Sequence, residues 1–249
     1  MNARRIEGTI ALVTGANRGI GRAITEALLA RGARKVYATA GDPQALRGLG
    51  DERLVRLPLD VTDADQIRAV AEAVSDVELV FNNAGVALAK GFADSTVLDH
   101  ARREMEVNYF GPLQLVHRLA PTLAKNGGGA VVNIASVAGL TNFPFFPTYS
   151  ASKAAFHSLT QATRALLGTQ GTSVFGVYPG PVDTDMAREV ALAKTAPRDV
   201  AFAILDGIEA GRADIFPDPF AVDFGRQFES SPKRSELQVA AMVSGSAAA

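Results

Sequence analysis

Tyr149 and Lys153 stand four residues apart in the segment Tyr149-Ser150-Ala151-Ser152-Lys153, with Ser136 shortly before them. On a helix, positions i and i+4 share a face, so the ammonium would sit beside the phenol. A cation there favours tyrosinate and lowers a phenol from its ordinary value of about 10 toward neutrality. Such a phenol can give a proton to a carbonyl oxygen or take one from an alcohol, and the Ser136 hydroxyl can share that oxygen through a hydrogen bond. The same pair is ordinary surface decoration on many helices, so its meaning depends on what surrounds it.

A second group lies near the start of the chain, where Thr14-Gly15-Ala16-Asn17-Arg18-Gly19-Ile20-Gly21 follows an apolar run and opens into a helical pattern. Gly15 permits a tight turn, Gly19 lets the backbone approach a pyrophosphate, and Gly21 allows close packing of helix on sheet. The first amides of the helix then face the anion. The spacing is G-x3-G-x-G rather than G-x-G-x-x-G, and glycines at such junctions also serve turning alone. A nucleotide-triphosphate loop is excluded because no G-x4-G-K-[ST] occurs. Ser150 to Lys153 fits the S-x-x-K pattern of acyl-transfer enzymes, but its companions are missing: there is no S-D-N, Lys194-Thr195-Ala196 lacks the glycine of K-T-G, and G-x-S-x-G is absent.

These residues need a frame, and the pattern supplies one. Seven short apolar or β-branched runs read as strands: Thr9 to Thr14, Lys35 to Ala40, Leu54 to Pro58, Leu79 to Phe81, Ala130 to Ile134, Ser173 to Tyr178 and Asp214 to Phe216. Most lack polar alternation, which suits strands covered on both faces. Longer helical patterns separate them, so the expected fold is a single α/β domain over residues 1–249, Rossmann-type and doubly wound, with a seven-stranded parallel sheet between helices. The first helix is expected from Gly19 to Arg31 and ends at Gly32. Thr62 is expected to cap a helix carrying Asp63 and Asp65 in its first turn. Ser231 before Pro232 signals a short terminal helix, with Ser244 to Ala249 fraying.

Composition narrows the function. With 25 basic and 26 acidic residues and a net charge of -1, the chain lacks the basic footprint of a nucleic-acid or membrane-surface binder. It has no cysteine, and its three histidines show no ligand spacing, so no metal is expected. Arg4 and Arg5 before Ile10 to Val13 make no signal peptide, and no run reaches the roughly 18 to 20 apolar residues of a membrane span. The reading is a cytoplasmic protein acting on a small molecule.

Taken together, the motifs resemble those of the short-chain dehydrogenase/reductase family over roughly residues 8 to 216. Thr14 to Gly21 resembles its TGxxxGxG turn, and Asn82-Asn83-Ala84-Gly85 its NNAG motif. Asn108, Ser136, Tyr149 and Lys153 fall where that family has its catalytic tetrad, and Pro179-Gly180 followed by Thr184 resembles the segment covering the nicotinamide. The resemblance implies a carbonyl reductase or alcohol dehydrogenase that transfers the pro-S hydride, with Tyr149 as general acid in reduction. Lys153 would stabilise the tyrosyl anion and bind the nicotinamide ribose, Ser136 would polarise the carbonyl, and Asn108 would hold a proton-relaying water. Asp60 and Val61 would flank adenine. The implied cofactor contacts are Gly15, Asn17, Arg18, Gly19, Ile20, Gly21, Asp60, Val61, Asn82, Ala84, Gly85, Pro179, Gly180, Val182 and Thr184, together with Tyr149 and Lys153. A homodimer or homotetramer would form through the long helices that contain Asn108 and follow Tyr149.

Arg18 stands where NADP-using relatives often carry a base for the 2′-phosphate, and Ala40 where NAD-using ones place an acid, so NADP(H) is preferred. Gly41 replaces the second arginine of many NADP enzymes, and NAD(H) stays possible. Phe143, Phe145 and Phe146 in the loop before Tyr149, with Phe92 after the NNAG motif, would form an apolar substrate wall beneath a small lid at about residues 185–200. That wall favours apolar or aryl ketones and aldehydes. NAD-dependent alcohol oxidation and a catalytically silent dinucleotide sensor stay open as alternatives.

Overall fold

The computed structural model describes residues 2–88, 91–93 and 95–246. Seven strands form one parallel sheet: β1 (Ile10–Val13), β2 (Lys35–Ala40), β3 (Leu54–Pro58), β4 (Leu79–Asn82), β5 (Ala130–Ile134), β6 (Ser173–Val177) and β7 (Asp214–Ile215). Their spatial order is β3-β2-β1-β4-β5-β6-β7. The order reverses direction between β1 and β4, which opens a crevice beyond the carboxyl ends of those two strands, where doubly wound sheets take their ligands.

The continuous apolar strands follow from burial on both faces. On one face Ala11, Val13, Phe81, Val132 and Phe175 pack with Ile24 and Leu28 of α1 (Gly19–Ala30) and Ile204, Leu205 and Ile208 of α6 (Pro197–Glu209). On the other, Leu12, Val80, Val131 and Val174 meet Ile67 and Val70 of α2 (Ala64–Ala73) and Leu115 and Leu119 of α4 (Gly111–Lys125). The remaining helices are α3 (Val97–Met105), α5 (Pro147–Gly168), α7 (Pro219–Ser230) and α8 (Pro232–Ser246). A third apolar cluster joins Val137, Phe156, Leu159 and Tyr178 to Phe224 of α7 and Val239 of α8. It holds α7 and α8 over the carboxyl end of β6.

Three local expectations are corrected. Thr62 does not cap α2; Asp63 does, its Oδ1 accepting from the amides of Asp65 and Gln66 at 2.9 and 3.1 Å. The Thr62 hydroxyl instead donates to Asp60 Oδ1 at 2.8 Å, an alternative a short hydroxyl takes when a carboxylate lies two residues away. The terminal helix is not short: α8 runs to Ser246 and so takes in residues 244–246, which were expected to fray, while the rest of that expected end, 247–249, lies outside the described residues. The α7 segment was not read as a helix at all, although Asp218 caps it and Pro219 starts it, a standard opening signal. Among the described residues, no helix is long and apolar enough to cross a membrane.

Candidate active site

The crevice at the switch point is a cleft of about 1000 Å³, and most of the expected site residues line it. At one end lies the glycine turn. Gly15 and Gly19 take φ of +64° and +53°, a left-handed conformation that side chains disfavour. Gly21 is constrained differently: a Cβ there would stand 2.2 Å from the Gly15 carbonyl oxygen and 2.3 Å from Asn83 Nδ2. It therefore packs helix α1 against its own turn and the NNAG segment, and does not itself line the cleft.

The turn is fixed from the next strand. Asn83 Nδ2 donates to the carbonyls of Thr14 and Gly15 at 2.9 and 3.1 Å, while the amides of Asn83 and Ala84 donate to Thr14 Oγ1 at 2.9 and 3.0 Å. Asn82, the asparagine expected to touch cofactor, faces away: its Nδ2 donates to Asn133 Oδ1 at 2.8 Å, and Asn133 Nδ2 donates to Thr160 Oγ1 at 3.0 Å. The physical reason is the strand period of two, which sends neighbouring side chains to opposite faces. Asn82 ends a ladder tying β4 and β5 to α5, and Asn83 carries the role in the turn.

Asp60, Val61, Ala84, Gly85, Asn17, Arg18, Ile20, Pro179, Gly180, Val182 and Thr184 all border the cleft. Asp60 Oδ1 accepts from the Thr62 amide at 2.9 Å, and this bond leads the causes that hold its carboxyl below the usual carboxylate range. Arg103 of α3, which no sequence signal singled out, also borders this end and lies 3.6 Å from Asp60 while donating to Thr62 Oγ1 at 2.9 Å. Arg18 is more than half exposed and pairs at 3.5 Å with Asp185 in the lid segment. Ala40 and Gly41 border the same space without an acidic group of their own.

The groups expected to react line the same cleft. Ser136 follows β5, and its Oγ accepts from the Ala138 amide at 3.1 Å. Proline at the start of α5 sets the helix that carries Tyr149 and Lys153. Lys153, 4% exposed, donates from Nζ to the Ile134 carbonyl at 2.8 Å, and Nζ lies 5.8 Å from the Tyr149 ring centroid. Burial pushes this ammonium down to about 7. The phenol is not lowered, as the spacing alone implied. Burial pushes it up to about 12; a hydrogen bond with Ser136 opposes that shift, and the Glu104 carboxylate adds to it. Desolvation dominates because the lysine is buried with a carbonyl as its near partner, and the half-buried phenol is packed against protein over much of its surface.

Asn108 occupies a π-helical turn, Glu106–Phe110, between α3 and α4, a distortion not legible in the sequence. Its Nδ2 donates to the Val86 carbonyl and to Ser152 Oγ, and its Oδ1 accepts from the Val86 amide, all at 2.9 Å. Ser152 Oγ in turn donates to the Tyr149 carbonyl at 2.7 Å. Asn108 thus spends both amide protons tying the loop after NNAG to the helix of Tyr149, leaving one lone pair on Oδ1.

The far end is apolar. Phe143, Phe145 and Phe146 border it as expected, and Phe143 packs against Phe224 with ring centroids 5.6 Å apart. Phe92 is 81% exposed and does not line the cleft, because its loop carries it into solvent. Its place is taken by residues that sequence reasoning missed: Phe220 of α7, Met242 of α8 and Met186 of the lid segment. The segment expected as a lid follows Val182, which forms an isolated bridge with Thr195 beyond the end of β6, includes one helical turn at Asp185–Ala187, and ends where α6 begins at Pro197. Asp218, nearly buried, accepts from the Gly180 amide at 2.8 Å and the Ala221 amide at 2.8 Å, so it joins the segment expected over the nicotinamide to the helix bearing Phe220.

The site fits a nicotinamide dinucleotide on its own evidence: a glycine cradle held by Asn83, a helix start facing the crevice, and a cleft long enough to reach Tyr149. Comparison with known proteins agrees with the geometry. The sequence model described as short chain dehydrogenase matches residues 9–195. Galactitol 2-dehydrogenase (L-tagatose-forming) of Cereibacter sphaeroides is 37% identical over 192 residues, covering 73% of this chain and 74% of that protein. A short chain dehydrogenase of Burkholderia cenocepacia solved in complex with NADP superposes with a TM-score of 0.90 at 36% identity, over 95% of this chain and 99% of that one. A Burkholderia phymatum family member in complex with NAD gives 0.81 at 26% identity, over 94% and 97%.

Proposed function

The chain belongs to the short-chain dehydrogenase/reductase family, and on that premise we propose that it interconverts apolar or aryl carbonyls and their alcohols with NADP(H), Tyr149 giving the proton in reduction. It is an oxidoreductase using a nicotinamide dinucleotide. The observation that carries the finer reading is one continuous cleft, with the glycine turn at one end, Ser136, Tyr149 and Lys153 at its middle and a wall of aromatic and methionine side chains at the other.

When bound, the nicotinamide supplies or accepts the hydride. Gly15, Asn17, Gly19 and Ile20 would hold its pyrophosphate, Asp60 and Val61 its adenine, and Lys153 with Pro179, Gly180, Val182 and Thr184 its nicotinamide half. The protein's own part is the proton. A phenol pushed up to about 12 is fully protonated at neutral pH, the form needed to donate to an alkoxide forming on the substrate. Ser136, whose hydroxyl opposes the upward shift of the Tyr149 phenol, would share that oxygen and orient it. Asn108 with Ser152 fixes the helix turn from which the phenol projects.

Three features support the finer calls. Arg18 offers a cation, and neither Ala40 nor Gly41 beside it brings a carboxylate, which suits a 2′-phosphate that would take Arg18 from its partner Asp185. The rings of Phe143, Phe145 and Phe220 gain by covering apolar substrate, about 25 cal/mol per Å2 removed from water. The segment between Val182 and Pro197 would act as a small lid over this end. The test is cofactor consumption by the wild-type protein with aryl ketones, medium-chain aldehydes, keto acids and polyols including galactitol. Higher kcat/KM for aryl ketones with NADPH is expected. Polyols or anionic keto acids as clearly better substrates would overturn the substrate class, and a preference for NADH would overturn the role given to Arg18.

A further inference from the structure

Glu104 is completely buried, yet the mechanism above gives it no task. A carboxylate taken wholly out of water is costly unless it is held by donors, so its position calls for a physical account. Its Oε1 accepts from the Leu88 amide at 2.7 Å. One turn later Asn108 grips Val86 through both its amide and its carbonyl. These two side chains of one helical stretch thus clamp the same loop, residues 86–88, whose Val86 and Ala87 form part of the cleft wall. The stretch is in turn tied to the reacting helix through Asn108, Ser152 and the Tyr149 carbonyl, and α3 packs on α5.

We propose that Glu104 is a positioning residue of the reaction centre, which clamps the 86–88 loop to the helix of Asn108 and sets the electrostatic field in which Tyr149 exchanges its proton. This rests on Tyr149 being the proton donor. Among the described residues, Ser136 after β5, Lys153 from its own helix and Glu104 from α3 are the polar or charged groups that act on the phenol or lie beside it. Of these three, Glu104 brings negative charge, and it opposes ionisation of the phenol. A negative field also favours the ammonium form of the neighbouring lysine. Glu104 thereby biases the pair toward phenol and ammonium, the arrangement that reduction uses. In alcohol oxidation the phenol must first lose its proton, so the same carboxylate delays that direction to higher pH.

Two substitutions separate the roles. Glu104→Gln keeps an acceptor for the Leu88 amide and removes the charge; Glu104→Leu removes both. The readout is 13C NMR of ring-labelled tyrosine in the protein without cofactor, the Tyr149 signal being assigned by its loss in Tyr149→Phe. In Glu104→Gln that signal is expected to begin titrating at lower pH than in wild type, by on the order of half a pH unit or more. The rising limb of alcohol oxidation against pH should move in the same direction. Leu88 amide exchange should stay slow in Glu104→Gln and quicken at least about tenfold in Glu104→Leu. A Tyr149 titration in Glu104→Gln that overlays wild type overturns the field role, and slow Leu88 exchange in a folded Glu104→Leu overturns the clamp. If Glu104→Leu does not fold, Glu104→Met, which also lacks the acceptor, carries the same Leu88 exchange test. Turnover retained by Tyr149→Phe would instead remove the proton-donor reading, a result separate from either NMR outcome.

Discussion

The two ends of the cleft are built on different principles. The dinucleotide end is made of backbone: a glycine turn, a helix start, and an asparagine that bonds to the carbonyls of Thr14 and Gly15. Its tolerances are set by hard contacts, such as the 2.2 Å between a hypothetical Gly21 Cβ and the Gly15 oxygen. The apolar end is made of side chains from segments far apart in sequence: Phe143 and Phe145 before α5, Met186 between β6 and α6, Phe220 on α7 and Met242 on α8. Apolar contacts are non-directional and tolerate repacking. One end therefore admits a single solution, while the other can be varied without disturbing it.

That contrast breaks if changes at the two ends have similar consequences. The largest effect is expected from Gly21→Val, which drives a branched side chain into the Gly15 carbonyl and Asn83. NADPH binding should weaken on the order of a hundredfold or more, with a lower Tm, measurable by fluorescence titration and calorimetry. Next, Arg18→Ala should raise KM for NADPH about tenfold and leave KM for NADH nearly unchanged, since a charge-assisted phosphate contact is lost in one case only. At the other end, Phe220→Ala should lower kcat/KM for an aryl ketone by several-fold to about tenfold, with NADPH affinity held. A comparable loss of NADPH affinity in Phe220→Ala would erase the distinction.

The same contrast explains what could be read from residues alone. All seven strands were legible, because strands buried on both faces become continuous apolar runs. That Gly15 and Gly19 border the cleft together, and Tyr149 and Lys153 likewise, could be read because each pair is set by a short spacing along one turn or one helix, whereas Ser136, after β5, was reached through the family resemblance. The exchange of roles between Asn82 and Asn83 needed the register of β4, since it turns on which of two adjacent side chains faces the turn. Phe220 and Met242 could not be assigned, because nothing local says that α7 and α8 fold back over β6; that is fixed by Val137, Phe156, Tyr178, Phe224 and Val239 meeting in three dimensions. The direction of the Tyr149 shift was misjudged for a related reason. Spacing reports a lysine nearby, but only the fold reports that the lysine is buried and spends its proton on the Ile134 carbonyl.

The smallest effect concerns Lys153, where the two ends meet. Its ammonium titrates near 10.5 in the unfolded chain and is pushed down to about 7 in the fold. Between those values the unfolded chain binds more protons, so this residue's destabilising contribution is complete below pH 7 and fades as pH rises toward 10.5. Lys153→Met should therefore change Tm relative to wild type more favourably at pH 6 than at pH 10, by several degrees in thermal melts. An offset between variant and wild type that stays constant with pH would mean that the lysine is not desolvated as described.

If Tyr149 is the proton donor in a hydride-transfer reaction, Tyr149→Phe removes that proton with the smallest change of shape. NADPH affinity and steady-state reduction of an aryl ketone should be measured on the same preparation. The account predicts an NADPH Kd within about threefold of wild type and a kcat lowered about 10²- to 10⁴-fold, the range expected when a positioned general acid is removed. A variant that binds NADPH normally and keeps kcat within a few-fold of wild type would contradict it.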